Sequence, residues 1–311
     1  MLSSHHHNDT YVKGGYATID NLDFIAPGFL SGFMRNATLK IGVDDINFGD
    51  DHFRRTDNAK VMANPFVNNM AVEAYMQAPH IELLYRLPSN MFAMVAITNG
   101  QVNPSDIDQA EGSNRPAVYG KIGYDAQLND ALRFRATESL YFVNHTNKGT
   151  SLFGGDKAGT VSQKIFGNTS GMGSQWNAMS GFSDLTLSNT NVFLKYNDTE
   201  LYGLFQYGTG ADIRDKDMKM THYALDAVQR FSNDRFWVAA RYENAVTEYA
   251  DASNDLGDAE LTQYQLGLGW FLSKHAVAKL EYIDQKREKN SAFVGGEASF
   301  KGYMISTALS F

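Results

Sequence analysis

From about residue 80 to its end, this chain keeps a two-residue period that few folds accept. Tyr264, Leu266, Leu268, Trp270 and Leu272 form one row, with Gln263, Gln265, Gly267 and Gly269 opposite. Tyr303, Ile305, Thr307, Leu309 and Phe311 repeat the pattern against Met304, Ser306, Ala308 and Ser310. In an extended strand, successive side chains point to opposite faces, so each run has one apolar face and one polar or small one. A helix would scatter both rows around its axis.

The runs come in pairs joined by very short turns. Ile81 to Arg86 leads through Leu87-Pro88-Ser89-Asn90 to Met91–Thr98, and Val118–Tyr124 leads through Asn129–Asp130 to Leu132–Ala136. Asn197–Asp198, Ser232–Asn233–Asp234 and Ser273–Lys274 close three further hairpins, and such residues are what tight turns demand. The connections between hairpins are long and polar, at 100–115, 147–188, 209–218, 248–260 and 287–296. Short turns at one end and long loops at the other are the asymmetry of a transmembrane β-barrel, with turns periplasmic and loops extracellular.

Composition narrows the choice further. Mean hydropathy is −0.35 although 43% of residues are hydrophobic, and no apolar run approaches the ~20 residues of a membrane-spanning helix. The absence of cysteine excludes a disulfide scaffold and a Cys-ligated metal site. A net charge of −8 argues against nucleic acid as a partner, because phosphate recognition needs a basic surface. The expected fold is therefore all-β: one transmembrane antiparallel β-barrel domain over residues 1–311, of about 14–16 strands. About 13 of these are countable in the chain, from one near 11–19 and one at Leu39–Val43 onward. Closed barrels of this class have an even count with both ends periplasmic, so the sequence is expected to be N-terminally incomplete, its early strands preceding residue 1. MLSSHHHNDTYVKGG carries no leader pattern, and His5, His6 and His7 read as a polar loop, not a metal site.

Four stretches carry a resemblance: LKIGVDDINFGDDHFRRTDNAKVMANPFVNN (39–69), AMVAITNG (93–100), LGLGWFLSKHAVAKLEYIDQKREKN (266–290) and KGYMISTALSF (301–311). They resemble the phosphate-selective porin O/P family, most of all its Bacteroidota-type outer-membrane barrels. The resemblance implies about 16 strands, a water-filled pore, often a homotrimer, and a loop folded inward to narrow the channel. It would also imply about three strands before Met1. Phosphate selectivity in that family rests on rows of lumenal Arg and Lys, whereas here Asp44, Asp45, Asp50 and Asp51 dominate after Ile41, so phosphate specificity is not carried over.

If alternate residues face the lumen, Lys40, Arg133, Arg135, Lys195, His222, Asp226, Arg230, Arg235, Arg241 and Glu243 line the pore. They form either a selectivity surface that orients polar solutes or a network of structural ion pairs. The long loop 44–80 is the candidate constriction or lid, with Arg54 and Arg55 at its tip. The acidic stretches Asp106–Glu111 and Asp251–Glu260 lack the spacing of a calcium loop and read as solvated charge. Glu138 breaks the lipid-facing row of Phe134, Ala136, Leu140 and Phe142, so a β-bulge or a protein contact is expected there. His222 and Asp226 lie ~13 Å apart along a strand, too far for an acid–base pair, and no enzyme, cofactor or metal is expected.

The expected function is a porin-like channel for passive diffusion of small hydrophilic solutes or ions across a Gram-negative outer membrane. The alternative is a non-conducting barrel subunit of a larger outer-membrane assembly. Expected partners are outer-membrane lipid and lipopolysaccharide, and a homotrimer or larger complex.

Overall fold

The structure is a computed structural model. It describes residues 14–54, 60–62, 64–99, 115–145, 152–153, 176, 178–179, 182–212, 215–249, 258–289 and 294–310, and the backbone of 2–5 and 9–12. Strands β1 (Leu2–His5) and β2 (Asp9–Val12) form a small antiparallel pair. A second sheet holds 13 strands among the described residues. It begins with β3 (Gly15–Ile19), β4 (Ala37–Asp45), β5 (Gln77–Arg86), β6 (Met91–Thr98), β7 (Ala117–Gln127) and β8 (Leu132–Val143). It continues with β9 (Phe182–Tyr196), β10 (Thr199–Asp212), β11 (Asp217–Phe231), β12 (Phe236–Tyr249), β13 (Ala259–Ser273), β14 (Ala276–Glu288) and β15 (Ala298–Leu309). Each strand pairs antiparallel with its sequence neighbours, so β3 and β15 are the two edges and run in the same direction; the wall is not closed between them.

The turns show why these hairpins are tight. Ser89, Asn90, Asn197, Ser232, Asn233 and Asp234 all adopt positive φ, the left-handed backbone that short connections require and that Asn and Asp tolerate best. Alternation survives as burial. Leu266 is 57% and Trp270 42% exposed on the outer face of β13, while Gln263 and Gln265 of the same strand are buried inside. Trp237 points inward from β12 and its ring lies over Gly269, where an added Cβ would sit 1.8 Å from ring carbon. At the turn end, residues 20–36 form a connection with a short helix α1 (Ser31–Met34). Its Phe33 stacks on Tyr85 at 5.2 Å, and Phe24, Ile25, Phe29 and Leu30 of the same connection are exposed.

Glu138 corrects one expectation. It keeps regular register opposite Ile122 on one side and Thr190 on the other, with no bulge, and so stays in the outward row. The Thr190 hydroxyl donates to its carboxylate, which supplies a partner without turning the strand.

The outward row is expected to be intolerant of charge: Leu268→Arg should cost ~2–4 kcal/mol in refolding titrations into lipid vesicles. Gly269→Val should destabilise by ~1–3 kcal/mol in the same assay, because the Trp237 ring leaves no room for a branched side chain. Wild-type stability in either variant would contradict this assignment of faces.

Candidate functional site

The inward rows change character along the barrel axis. Toward the turns, charged residues pair with one another: Arg133 with Asp125 (2.9 and 3.0 Å), Arg135 with Asp125 (3.1 Å), and Lys195 and Arg230 with Glu200 (3.3 and 2.8 Å). At mid-height sit Lys121, Ser139, Asn191, Gln206, His222, Asp226, Arg241, Glu243, Gln263, Gln265 and Glu281, all buried. Toward the loops the same rows become apolar, with Tyr119, Tyr141, Leu185, Leu187, Met218, Met220 and Leu261 in one cluster.

The segment that follows β4 crosses this interior. Gly49 turns it with φ +63°, where a Cβ would strike the Asn189 amide, and its N–H donates to Ser139 Oγ (3.1 Å). Asp50 accepts two bonds from Arg135 (both 2.8 Å) and lies 3.2 Å from Lys121 Nζ. Asp51 accepts from the Tyr202 hydroxyl (2.9 Å) and from Gln206 (3.3 Å). Arg54 reaches Asp226 (3.0 Å) and lies over the Tyr202 ring, while Arg241 grips the same carboxylate at 2.6 and 2.8 Å.

Further along, backbone takes over. The N–H groups of Val67 and Asn68 donate to Glu281 (2.7 and 3.1 Å), and those of Ala71 and Val72 to Glu243 (2.8 Å each). Glu243 also meets His222 (3.1 Å), whose other ring nitrogen meets Gln206 (2.8 Å). The Lys279 ammonium donates to the carbonyls of Asn64 and Phe66 (2.5 and 3.1 Å), and the Trp237 indole to that of Pro65 (2.9 Å). A peptide segment carried into an interior thus finds side-chain partners for its backbone, which burial otherwise makes costly. On its loop side, Ile46, Phe48, Val72, Ala74 and Met76 join the apolar cluster, together with Leu152, Phe153, Trp176, Ala178 and Met179.

Below the segment, toward the turns, lies a cavity of about 500 Å³ lined by Asp50, Phe53, Arg54, Pro65, Asp125, Arg133, Arg135, Phe193, Glu200 and Tyr202. A second, of about 560 Å³, shares Phe53, Asp125 and Arg135 and extends to the Leu87–Asn90 turn. Among the sequence-selected residues, Lys40 pairs with Asp44, and Arg133, Arg135, Lys195, His222, Asp226, Arg230, Arg241 and Glu243 all face inward. Arg235 does not: it lies in the turn before β12, exposed, with its guanidinium 5.8 Å from the Phe236 ring. Parity counted it with the inward row, but the strand begins one residue later, at Phe236. Arg55, His6, His7 and the acidic stretches 106–111 and 251–257 lie outside the described residues. Sequence reading missed Lys121, Lys279 and Glu281, although Ile122 beside the first and Leu280 between the other two belong to the exposed outward row.

No family model matches the chain, and no curated protein matches it. Solved structures do. OmpT of Vibrio cholerae superposes with a TM-score of 0.55 at 13% identity, covering 97% of this chain and 81% of that one. The outer membrane channel DcaP of Acinetobacter baumannii gives 0.55 at 11% identity, covering 87% and 71%. An anion-selective porin from Comamonas acidovorans gives 0.50 at 12%, covering 89% and 78%. The fold is that of outer-membrane β-barrels of the porin type. With apolar rows on its outer face, this chain is an outer-membrane protein.

Adjacent carboxyls of the segment respond oppositely to their surroundings. Burial pushes Asp50 up, but the Arg135 hydrogen bond and the Lys121 and Arg135 charges outweigh it and hold the carboxyl well below the usual range. Burial pushes Asp51 up too, and there the Tyr202 hydrogen bond does not bring it back. Asp50→Asn should therefore lower stability at neutral pH, the loss shrinking as pH falls from the ordinary carboxylate range into the depressed one. Asp51→Asn should raise stability, with a gain that fades as pH falls from its raised range to the ordinary one. Urea midpoints of both variants at neutral and acid pH check the signs. Glu281→Ala should free the segment, at ~1–3 kcal/mol for each buried donor left unmatched, and proteolytic cleavage within 61–76 should accelerate.

Proposed function

We propose that the chain is a porin-like channel that passes small hydrophilic solutes or ions by passive diffusion. The observation that carries this reading is the turn-side half of the interior: ion-paired walls around cavities of about 500 and 560 Å³, enclosed by a sheet whose outer face is apolar. Such a surface stays wet and sets a fixed transverse field, which is all that passive permeation asks of a protein. The segment of residues 46–76 acts as the constriction, held by Glu243 and Glu281. Phosphate selectivity is not part of the proposal, because Arg54, Arg133 and Arg135 around the cavity each have a carboxylate partner.

A second reading, a non-conducting barrel within a larger outer-membrane assembly, draws on the apolar cluster at the loop end. Leu152, Phe153, Trp176 and Met179 pack there against the wall and the inward segment, and a dry apolar layer resists ions. Planar-bilayer recording of the folded protein decides between the two. The channel reading expects ohmic unit steps that grow when Glu243→Ala and Glu281→Ala are combined. A silent membrane, in both wild type and double variant, would reject it in favour of the assembly.

A further inference from the structure

We propose that the connection between β3 and β4 is a lipid anchor, whose uncharged stretch 24–34 seats in the headgroup–acyl boundary of the leaflet on the turn side. The inference needs the chain to lie in a membrane, but not to conduct.

Length singles this connection out. The other turn-side links run 87–90, 128–131, 197–198, 232–235 and 274–275, whereas this one takes 20–36 to join Ile19 to Ala37. A hairpin needs none of that extra chain. From 24 to 34 it reads FIAPGFLSGFM, without one ionisable side chain, bounded by Asp23 and Arg35. Phe24 (71%), Ile25 (60%) and Leu30 (52%) are exposed there, with Phe29 and Phe33. So many large apolar groups open to water on one short stretch are unfavourable unless something apolar covers them.

The place of the stretch says what that cover is. Phe33 stacks on Tyr85 at 5.2 Å, and Tyr85 shares the outward row of β5 with the exposed Ile81. Its ladder partner Ala37 belongs to the outward row of Ile41, yet it is buried, as is Met34 of α1. The short helix therefore sits against the outer, lipid-facing side of the wall and not in the mouth of the lumen. Around the rest of the turn end, the outward rows stay apolar to their last ladder positions, at Tyr196, Phe231, Phe236 and Trp270. Lipid thus reaches the level of the turns, and the stretch continues that surface.

The backbone suits a place short of water. Ile25, Phe29, Ser31, Phe33 and Met34 donate to carbonyls within the connection at 2.9–3.2 Å. The Gly28 N–H, where the chain turns with φ +74°, donates to the Asp23 carboxylate (2.8 Å). Peptide groups entering an apolar boundary need such internal partners, and those of a solvated loop do not. Amphipathic segments of this kind bury their apolar side chains about 5–10 Å into the boundary. A second copy of the chain would also cover Phe24 and Ile25, but protein contacts carry a polar rim, and Ser31 is the one polar side chain from 24 to 34.

The sequence has no cysteine, so single-cysteine variants take a label at one place only. Phe24→Cys, Ile25→Cys and Phe29→Cys, each carrying an NBD fluorophore and folded into phosphatidylcholine vesicles, are compared with Asp198→Cys on an exposed turn at the same end of the barrel. Three positions guard against one that does not fold. The anchor expects blue-shifted emission, with quenching by a headgroup-proximal lipid nitroxide about twofold stronger, and by aqueous iodide about twofold weaker, than at the Asp198 position. Water-like emission with iodide access equal to that position overturns the proposal. Shielding from both quenchers would mean that protein covers the stretch, and overturns it as well. Because the readout needs no current, a silent bilayer would reject the channel and leave this result to stand or fall separately.

Discussion

Two carboxylates on the inner wall, Glu243 and Glu281, each take a pair of consecutive backbone N–H groups from the segment that crosses the barrel. Peptide cannot lie inside a barrel without such partners, since its donors lose water on entry and no ladder replaces it. Charged acceptors make the strongest of these contacts, and each acceptor has its own support: Glu243 from His222 and Gln263, Glu281 from the Asn68 amide. The segment then divides the interior into an ion-paired compartment toward the turns and an apolar one toward the loops. Both candidate functions follow from which compartment governs passage.

Most of the wall was legible because one rule, alternation, acts on every strand. The rows of Leu266, Leu268 and Trp270 needed only a period of two to be placed outside, and the positive-φ turns at Asn197 and Ser232–Asp234 were announced by their residue types. From β5 onward the strands follow the hairpin order of the rhythm, although β9 starts at Phe182 and β10 runs to Asp212, inside stretches expected as loops. Of the strand expected near 11–19, only Gly15–Ile19 joins the wall. The bulge expected at Glu138 does not form, because Thr190 of the neighbouring strand offers a hydroxyl across the register and partners the outward carboxylate.

The site was legible in its wall and obscure in its filling. Parity found His222, Asp226, Arg241 and Glu243, and the same parity would have found Lys279 and Glu281 had the polar row of β14 been read with its apolar one. Arg235 shows where parity stops, at the last residue that still belongs to the ladder. Segment 46–76 has no period at all. Its contacts with Asp226, Glu243 and Glu281 join residues about 170 to 210 positions apart, and no local pattern records such pairs. The apolar half of the interior was hidden for a related reason: Met218, Met220 and Leu261 continue inward rows that are polar a few residues away, so an average over the strand conceals the change.

That separation in sequence has a consequence for the order of folding. Val67 is synthesised long before Glu281, and the acceptor it needs comes into place only once β13 and β14 have paired. Hairpins close locally and quickly, whereas a contact spanning most of the chain must wait for the wall around it. Insertion of the crossing segment is therefore a late event, and until then its donors stay hydrated within a curved sheet whose outer face is already greasy enough for lipid.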